Sequence, residues 1–172
     1  MKKLLPFIGL LATVAFLNLS CEKDDICPEG TLTTSRLIVR FYDATLPNEV
    51  KTVSSLAVYG LNDANEEIFF NNIESLDSIA IPLRTDANLT RLVFHKDITD
   101  LGDLGTGNAD NTEISYIRED QYVSRACGYK TNFVLQSTNL ITDTDNWITN
   151  IEINIDNATV ENETTAHIKI FH

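Results

Sequence analysis

Alternation of apolar and polar residues at a period of two constrains this chain more than any other feature. Ile151, Ile153 and Ile155 alternate with Glu152, Asn154 and Asp156, and Ile168 and Ile170 flank Lys169. Successive side chains of an extended strand point to opposite faces, so a run of this kind has one face to bury and one to wet. The pattern recurs at Leu37, Val39 and Phe41, at Leu56 to Tyr59, at Ile68 to Phe70 and at Ser78 to Ile81, where Pro82 stops it. It returns at Leu92 and Phe94, at Ile114 and Tyr116 with Tyr122 further along, and at Phe133 and Leu135 after Gly128. No window of eleven or more residues presents a helical face. Residues 157–164 read as the connection between the last two strands. The expected fold is all-β, a single antiparallel β-sandwich, immunoglobulin-like or related, of about eight or nine strands. Residues 31–172 are assigned to it, enough to bury one ordinary core.

The first twenty residues follow a different rule. Lys2 and Lys3 open the chain, and Leu4 to Leu19 is almost wholly apolar. That run is short of the roughly 20 residues a membrane-spanning helix needs. A basic start, a short apolar stretch and small Ser20 predict a secretory signal over 1–20. An uncleaved anchor is the alternative. Asn18-Leu19-Ser20-Cys21 resembles the cleavage box of bacterial lipoprotein precursors, with Asn18 where an aliphatic residue is usual. The resemblance implies removal of residues 1–20 and acylation of Cys21, palmitate included. Two or more acyl chains, at about 0.8 kcal/mol per buried methylene, anchor stably where one does not.

Residues 21–30, CEKDDICPEG, are charged, aperiodic and broken by Pro28 and Gly30, and read as a tether. Lys23, Asp24 and Asp25 resemble the lysine-plus-two-acidic export tag of some Gram-negative surface lipoproteins; the alternative is a plain solvated linker. The resemblance implies an outer-membrane, cell-surface location, with the periplasmic face as the other possibility. The full chain carries a net charge of −12, and losing Lys2 and Lys3 with the leader makes it −14. Phosphate binding needs a basic patch, so nucleic acid and anionic lipid surfaces are poor partners for such a chain.

Cys21 is taken by the lipid, which leaves Cys27 and Cys127 as a pair in an oxidising compartment. They are expected to form a disulfide; two free thiols are the alternative. Neither has a second Cys or a His at metal-ligand spacing.

Residues 97–112, DITDLGDLGTGNADNT, hold three glycines and little to bury, and read as a long mobile loop. Asp97, Asp100, Asp103, Asn108 and Asp110 make a weak calcium candidate, because their oxygens suit a hard cation. The EF-hand pattern is absent, with Leu101 where a ligand belongs. No metal and no cofactor is expected. Tyr122, Tyr129 and Trp147 are candidates for a flat binding platform, with core packing as the competing role. Asp77-Ser78-Ile79 resembles an O-glycosylation acceptor, or Ser78 simply faces solvent. His95, His167 and His172 are the three histidines, and neither G-x-S-x-G nor H-E-x-x-H occurs.

The run ICPEG with RLIVRFYD (Arg36 to Asp43), then YVSRACGYKTNFVL (Tyr122 to Leu135) and HIKIF near the end, resembles a family of uncharacterised bacterial lipoproteins. The resemblance implies an exported small β domain and carries no assigned activity or catalytic residue. The expected function is therefore non-enzymatic: a lipid-anchored envelope protein that docks a partner, such as an outer-membrane barrel, or serves structurally. A glycan- or nutrient-binding module is the first alternative. A hydrolase built around His95 is the second.

Overall fold

The computed structural model describes residues 26–31 and 33–172. The leader, Cys21 and the Lys23-Asp24-Asp25 tag lie outside the described residues. The described residues form two compact units, one of 26–31 with 122–129 and a larger one of 33–121 with 130–172.

Among the described residues eleven strands follow one another: β1 (Leu37–Tyr42), β2 (Val53–Leu61), β3 (Glu67–Phe69), β4 (Glu74–Leu76), β5 (Ser78–Ile81), β6 (Leu89–Lys96), β7 (Asn108–Ser124), β8 (Gly128–Leu140), β9 (Asn150–Ile153), β10 (Thr159–Val160) and β11 (Ile168–Phe171). They make two sheets. One has the order β5-β1-β11-β9, and the other runs β10-β8-β7-β6-β2-β3 with β4 also on β2. The all-β sandwich is thus present, with more strands than the eight or nine expected. The additions are β4 and β10, three and two residues long, too short for an alternation to show.

The antiparallel expectation needs one correction: β1 and β11 pair parallel, Val39 opposite Ile168 and Phe41 opposite Ile170. The four-stranded sheet is therefore mixed. These two strands bring the start and the end of the larger unit together at the sheet's centre. Backbone bonds continue the ladder past their ends. His167 N–H donates to the Ile38 carbonyl, and His172 N–H donates to the Tyr42 carbonyl.

The inward faces of both sheets form one core. Leu37, Val39 and Phe41 from β1 and Ile168 and Ile170 from β11 meet Val58, Leu92, Phe94, Ile114, Tyr116 and Phe133 from the larger sheet. Phe41 is fully buried. Its ring stands edge-on to Phe94 at 6.1 Å and lies 6.4 Å from Trp147.

The last isoleucine run behaves differently from its pattern. β9 ends at Ile153, Asn154 turns the chain, and Ile155 opens a short 3-10 helix with its side chain 86% exposed. β9 is an edge strand with half-buried isoleucines, so the cleanest alternation marks a rim of the sandwich.

Residues 97–112 also depart from expectation. The loop is shorter, because Asn108 already begins β7. It is docked rather than free. A register shift between Val53 and Leu56 bulges β2, and Ser55 takes φ +43° there. The carbonyls of Ser54 and Ser55 then accept from the N–H groups of Asp97 and Ile98. Ile98 is 1% exposed, so the loop does have something to bury.

Candidate functional site

Within the larger unit, a groove of about 340 Å³ opens at the rim of the seven-stranded sheet. Gly60, near the end of β2, is among its lining residues. Its walls include Ile68, Phe70, Pro82 and Leu83, with Arg84 and Arg91 at the polar side. Glycine inside a strand signals a close approach, and that is its role here. A Cβ on Gly60 would stand 2.9 Å from the Phe70 ring. Ile68 presents a side chain more than half exposed on β3, an edge strand.

Arg84 is held on both sides. Its guanidinium meets the Asp63 carboxylate at 2.6 and 3.2 Å and the Asp86 carboxylate at 3.0 and 2.8 Å. Its backbone is fixed as well, since N–H donates to Thr90 Oγ1 and the carbonyl accepts from Tyr116 Oη. The Arg84 hydrogen bond pulls the Asp86 carboxyl down to about 2 and lowers Asp63. All three charges reach solvent, so the cluster adds little stability. An anion approaching Arg84 would meet two carboxylates already bonded to its guanidinium. Arg91 faces Glu113 at 3.7 Å.

The residues singled out by sequence fall in different places. Asp97 accepts from Ser54 Oγ. Asp100 and Asp103 each accept from a glycine N–H two residues on, Gly102 and Gly105, which is ordinary Asx-turn bonding. Asn108 Nδ2 donates to the Asp145 carbonyl. Asp110 lies on β7, fully buried, and accepts from Ile148 N–H at 2.8 Å. The calcium candidate is therefore corrected: these oxygens serve separate local bonds. Among the described residues no three His, Cys, Asp or Glu side chains are grouped to hold a metal.

Asp110 has a further property. Burial raises its carboxyl above the usual range, against the opposing hydrogen bond from Ile148. Its second oxygen, Oδ1, has no partner among the described residues. A carboxyl raised on folding binds protons more readily in the folded chain, so its contribution falls as pH rises from about 4 through the folded value. Asp110→Asn keeps an acceptor and sheds the buried charge. Asp110→Ala strands the Ile148 N–H and should cost about 1–3 kcal/mol. Urea melts at pH 7 should show Asn at or above wild type and Ala well below it.

His95 is 1% exposed, and its Nε2 bonds the Thr106 carbonyl at 2.6 Å. It sits under the docked loop and is not part of the rim groove's lining. His167 is fully buried, with Nδ1 accepting from Ile38 N–H at 2.9 Å. Its proton therefore sits on Nε2. Burial lowers both His167 and His172 below the ordinary imidazole value, against a raising influence of Glu163 on the first. A lowered histidine leaves the unfolded chain holding more protons below about pH 6.5, so stability falls on acidification through that value. The chemical-unfolding midpoint should drop between pH 7 and 5, and drop less in His167→Gln.

Trp147 is half-buried and packs against the core of the larger unit. Its Nε1–H donates to the Phe94 carbonyl at 3.2 Å, and its ring lies 5.5 Å from His172. Core packing, the role weighed against a platform, is the one these contacts give Trp147. Ser78 is half-buried on the edge strand β5, with its hydroxyl toward Asp77.

Tyr122 and Tyr129 belong to the smaller unit and are 54% and 70% exposed. Their rings meet edge-to-face at 5.3 Å. They flank the turn Arg125–Cys127, where Cys127 N–H donates to Ser124 Oγ and Gly128 takes φ +71°, a value that favours glycine. Cys27 and Cys127 are joined as a disulfide, with Cα atoms 4.8 Å apart. The bridge ties this turn to the segment Ile26–Thr31, whose own turn is closed by Thr31 bonding the Pro28 carbonyl.

Sequence reasoning missed the groove and the buried Asp110. Two signals were present. Gly60 interrupts a strand of otherwise larger residues. Stepping back by two from Ile114 along the same face gives Thr112 and then Asp110, which predicts both as buried.

A two-sheet β domain with a rim groove, and with no metal-holding cluster among its described residues, defines a class of small all-β modules. Within that class the chain belongs to a family of unknown function (DUF6452), whose model matches residues 55–172. The stretches YVSRACGYKTNFVL and HIKIF fall inside the match, while ICPEG and RLIVRFYD precede it. No curated protein and no solved structure matches the chain. Among the described residues no helix is long and apolar enough to cross a membrane.

Proposed function

We propose that this protein is a lipid-anchored component of a bacterial envelope, acylated at Cys21, that docks a partner without catalysing a reaction. The observation that carries the reading is the Cys27–Cys127 disulfide, which begins six residues after Cys21. Disulfides persist in exported proteins and are rare in the cytosol. A bond there agrees with the leader, the Ser20-Cys21 junction and the Lys23-Asp24-Asp25 tag, all of which point out of the cell. The outer membrane, facing the surface, is the favoured location.

The rim groove is the favoured docking site. Its apolar walls and neutralised Arg84 suit an apolar side chain with a neutral or basic flank, such as a loop of an outer-membrane barrel would supply. Detergent extraction of the native membrane, followed by affinity isolation, should recover the protein with one stoichiometric partner. Ile68→Asp should release that partner without changing the fold. Recovery of the wild-type protein alone under gentle extraction contradicts the docking reading.

A glycan-binding role retains one support, the exposed pair Tyr122 and Tyr129. It has lost Trp147, the largest ring of its expected platform.

A further inference from the structure

The smaller unit collects apolar and aromatic surface that its own fold leaves uncovered. Ile26 is 80% exposed, beside the 54% of Tyr122 and the 70% of Tyr129. Arg125 is exposed at the turn between the tyrosines. Tyrosine rings with a polar tip, an aliphatic side chain and one arginine match the headgroup boundary of a bilayer, where tyrosine is enriched and arginine meets phosphate.

The covalent chain says what covers this surface. The turn is bonded through Cys127 to Cys27, and Cys27 is six residues from Cys21. Six extended residues reach roughly 20 Å at most. An acylated Cys21 has its sulfur at the boundary of the hydrocarbon core, and the headgroup layer is about 5–8 Å deep on each side. The disulfide therefore confines the tyrosine turn to a shell that includes the headgroup layer. At such separation a weak contact acts at an effective concentration in the millimolar range. Without the bridge, the turn and Cys21 would be about a hundred residues apart along the chain.

We propose that Ile26, Tyr122 and Tyr129 form a second membrane contact, which the Cys27–Cys127 bridge presses into the lipid headgroup layer beside the acylated Cys21. The proposal rests on the lipid-anchor reading above. The contact is apolar and aromatic rather than electrostatic. Residues 21–25 carry one Lys against Glu22, Asp24 and Asp25, so anionic lipid gives it no advantage. It holds the turn flat on the membrane, where the anchor alone would leave it free to swing.

The test uses the full acylated protein, purified from its native membranes and reconstituted into phosphatidylcholine–phosphatidylethanolamine vesicles. Tyr122→Trp adds an indole at the turn, and phosphatidylcholine brominated near the headgroup quenches an indole within reach. Flotation of the vesicles reports the anchor independently. The added indole should lose emission on brominated vesicles, shift to the blue and stay quenched at high salt. The wild-type protein, with Trp147 half-buried against the core of its larger unit, should lose none. Replacing Cys27 and Cys127 by serine in the same variant should abolish the quenching while the protein still floats. A second probe, Tyr129→Trp, should repeat the result. A protein that floats with both added indoles unquenched overturns the proposal and leaves the anchor standing. Quenching only after a barrel protein is added to the vesicles overturns it in favour of a protein partner. A protein that fails to float overturns the anchor and this proposal together.

Discussion

Replacing Cys27 and Cys127 together by serine should lower the unfolding free energy by about 2–4 kcal/mol. The bond closes a loop of 100 residues. In the chain-entropy model a loop of that length is worth at most about 4.7 kcal/mol, because the cross-link removes open conformations from the unfolded ensemble. Neither cysteine is among the core residues, so the packed state of the larger unit should survive the change. The expected signature is a lower urea midpoint with a steeper dependence on denaturant, since the uncrosslinked chain unfolds to a more exposed ensemble. Adding reductant to the wild type should give the same shift, and adding it to the double variant should give none. A midpoint unmoved by either treatment would mean that the bond does not form.

The second large effect concerns the centre of the sandwich. Phe41→Ala should cost about 3–5 kcal/mol, the usual penalty for emptying a fully buried aromatic site. Phe41 lies on β1, the strand that joins β5 and β11 in the smaller sheet. Its ring bridges to Phe94 of the larger sheet and touches Trp147 and His172. Edge-on ring contacts add about 0.5–1.5 kcal/mol each beyond the area they bury. A domain of this size has about 5–15 kcal/mol in all, so the variant should be close to unfolding at 37 °C. Phe41→Leu keeps most of the volume and should cost less than half as much. A loss below 1 kcal/mol for alanine would show that the two sheets do not meet at this ring.

Much of the architecture was legible because burial on one face leaves a period of two. Leu37, Val39 and Phe41 are all fully buried on β1, as their spacing implies. Ile168 and Ile170 behave likewise on β11. What periodicity cannot carry is direction and neighbour. The parallel pairing of β1 with β11 joins residues some 130 positions apart, such as Val39 and Ile168, and no local pattern records it. Nor does alternation report how many faces are covered. Ile151, Ile153 and Ile155 form the cleanest run, yet they sit on an edge strand and beyond its end.

The site residues divide by the same logic. Cys27 and Cys127 were paired correctly because setting Cys21 aside as the expected lipid site leaves two of the three cysteines. The acidic residues from Asp97 to Asp110 stood as a weak cation candidate because composition alone does not separate a turn-capping carboxylate from a ligand. Asp100 and Asp103 bond their own turns, while Asp110 belongs to the next strand. Trp147 stayed open between a platform and core packing, because a lone tryptophan suits either a surface or a core and only packing against Phe41 decides between them. The groove draws on β2, β3, β6 and the segment after β5, so its residues become neighbours only on folding.

The most direct measurement is intact-mass analysis of the protein isolated from its native cell after growth with an alkyne-tagged fatty acid. The account predicts a chain that begins at Cys21, carries label on that residue, sediments with membranes and loses the label in Cys21→Ala. A full-length, unlabelled chain in the soluble fraction, with Cys27 and Cys127 both open to alkylation, would contradict it.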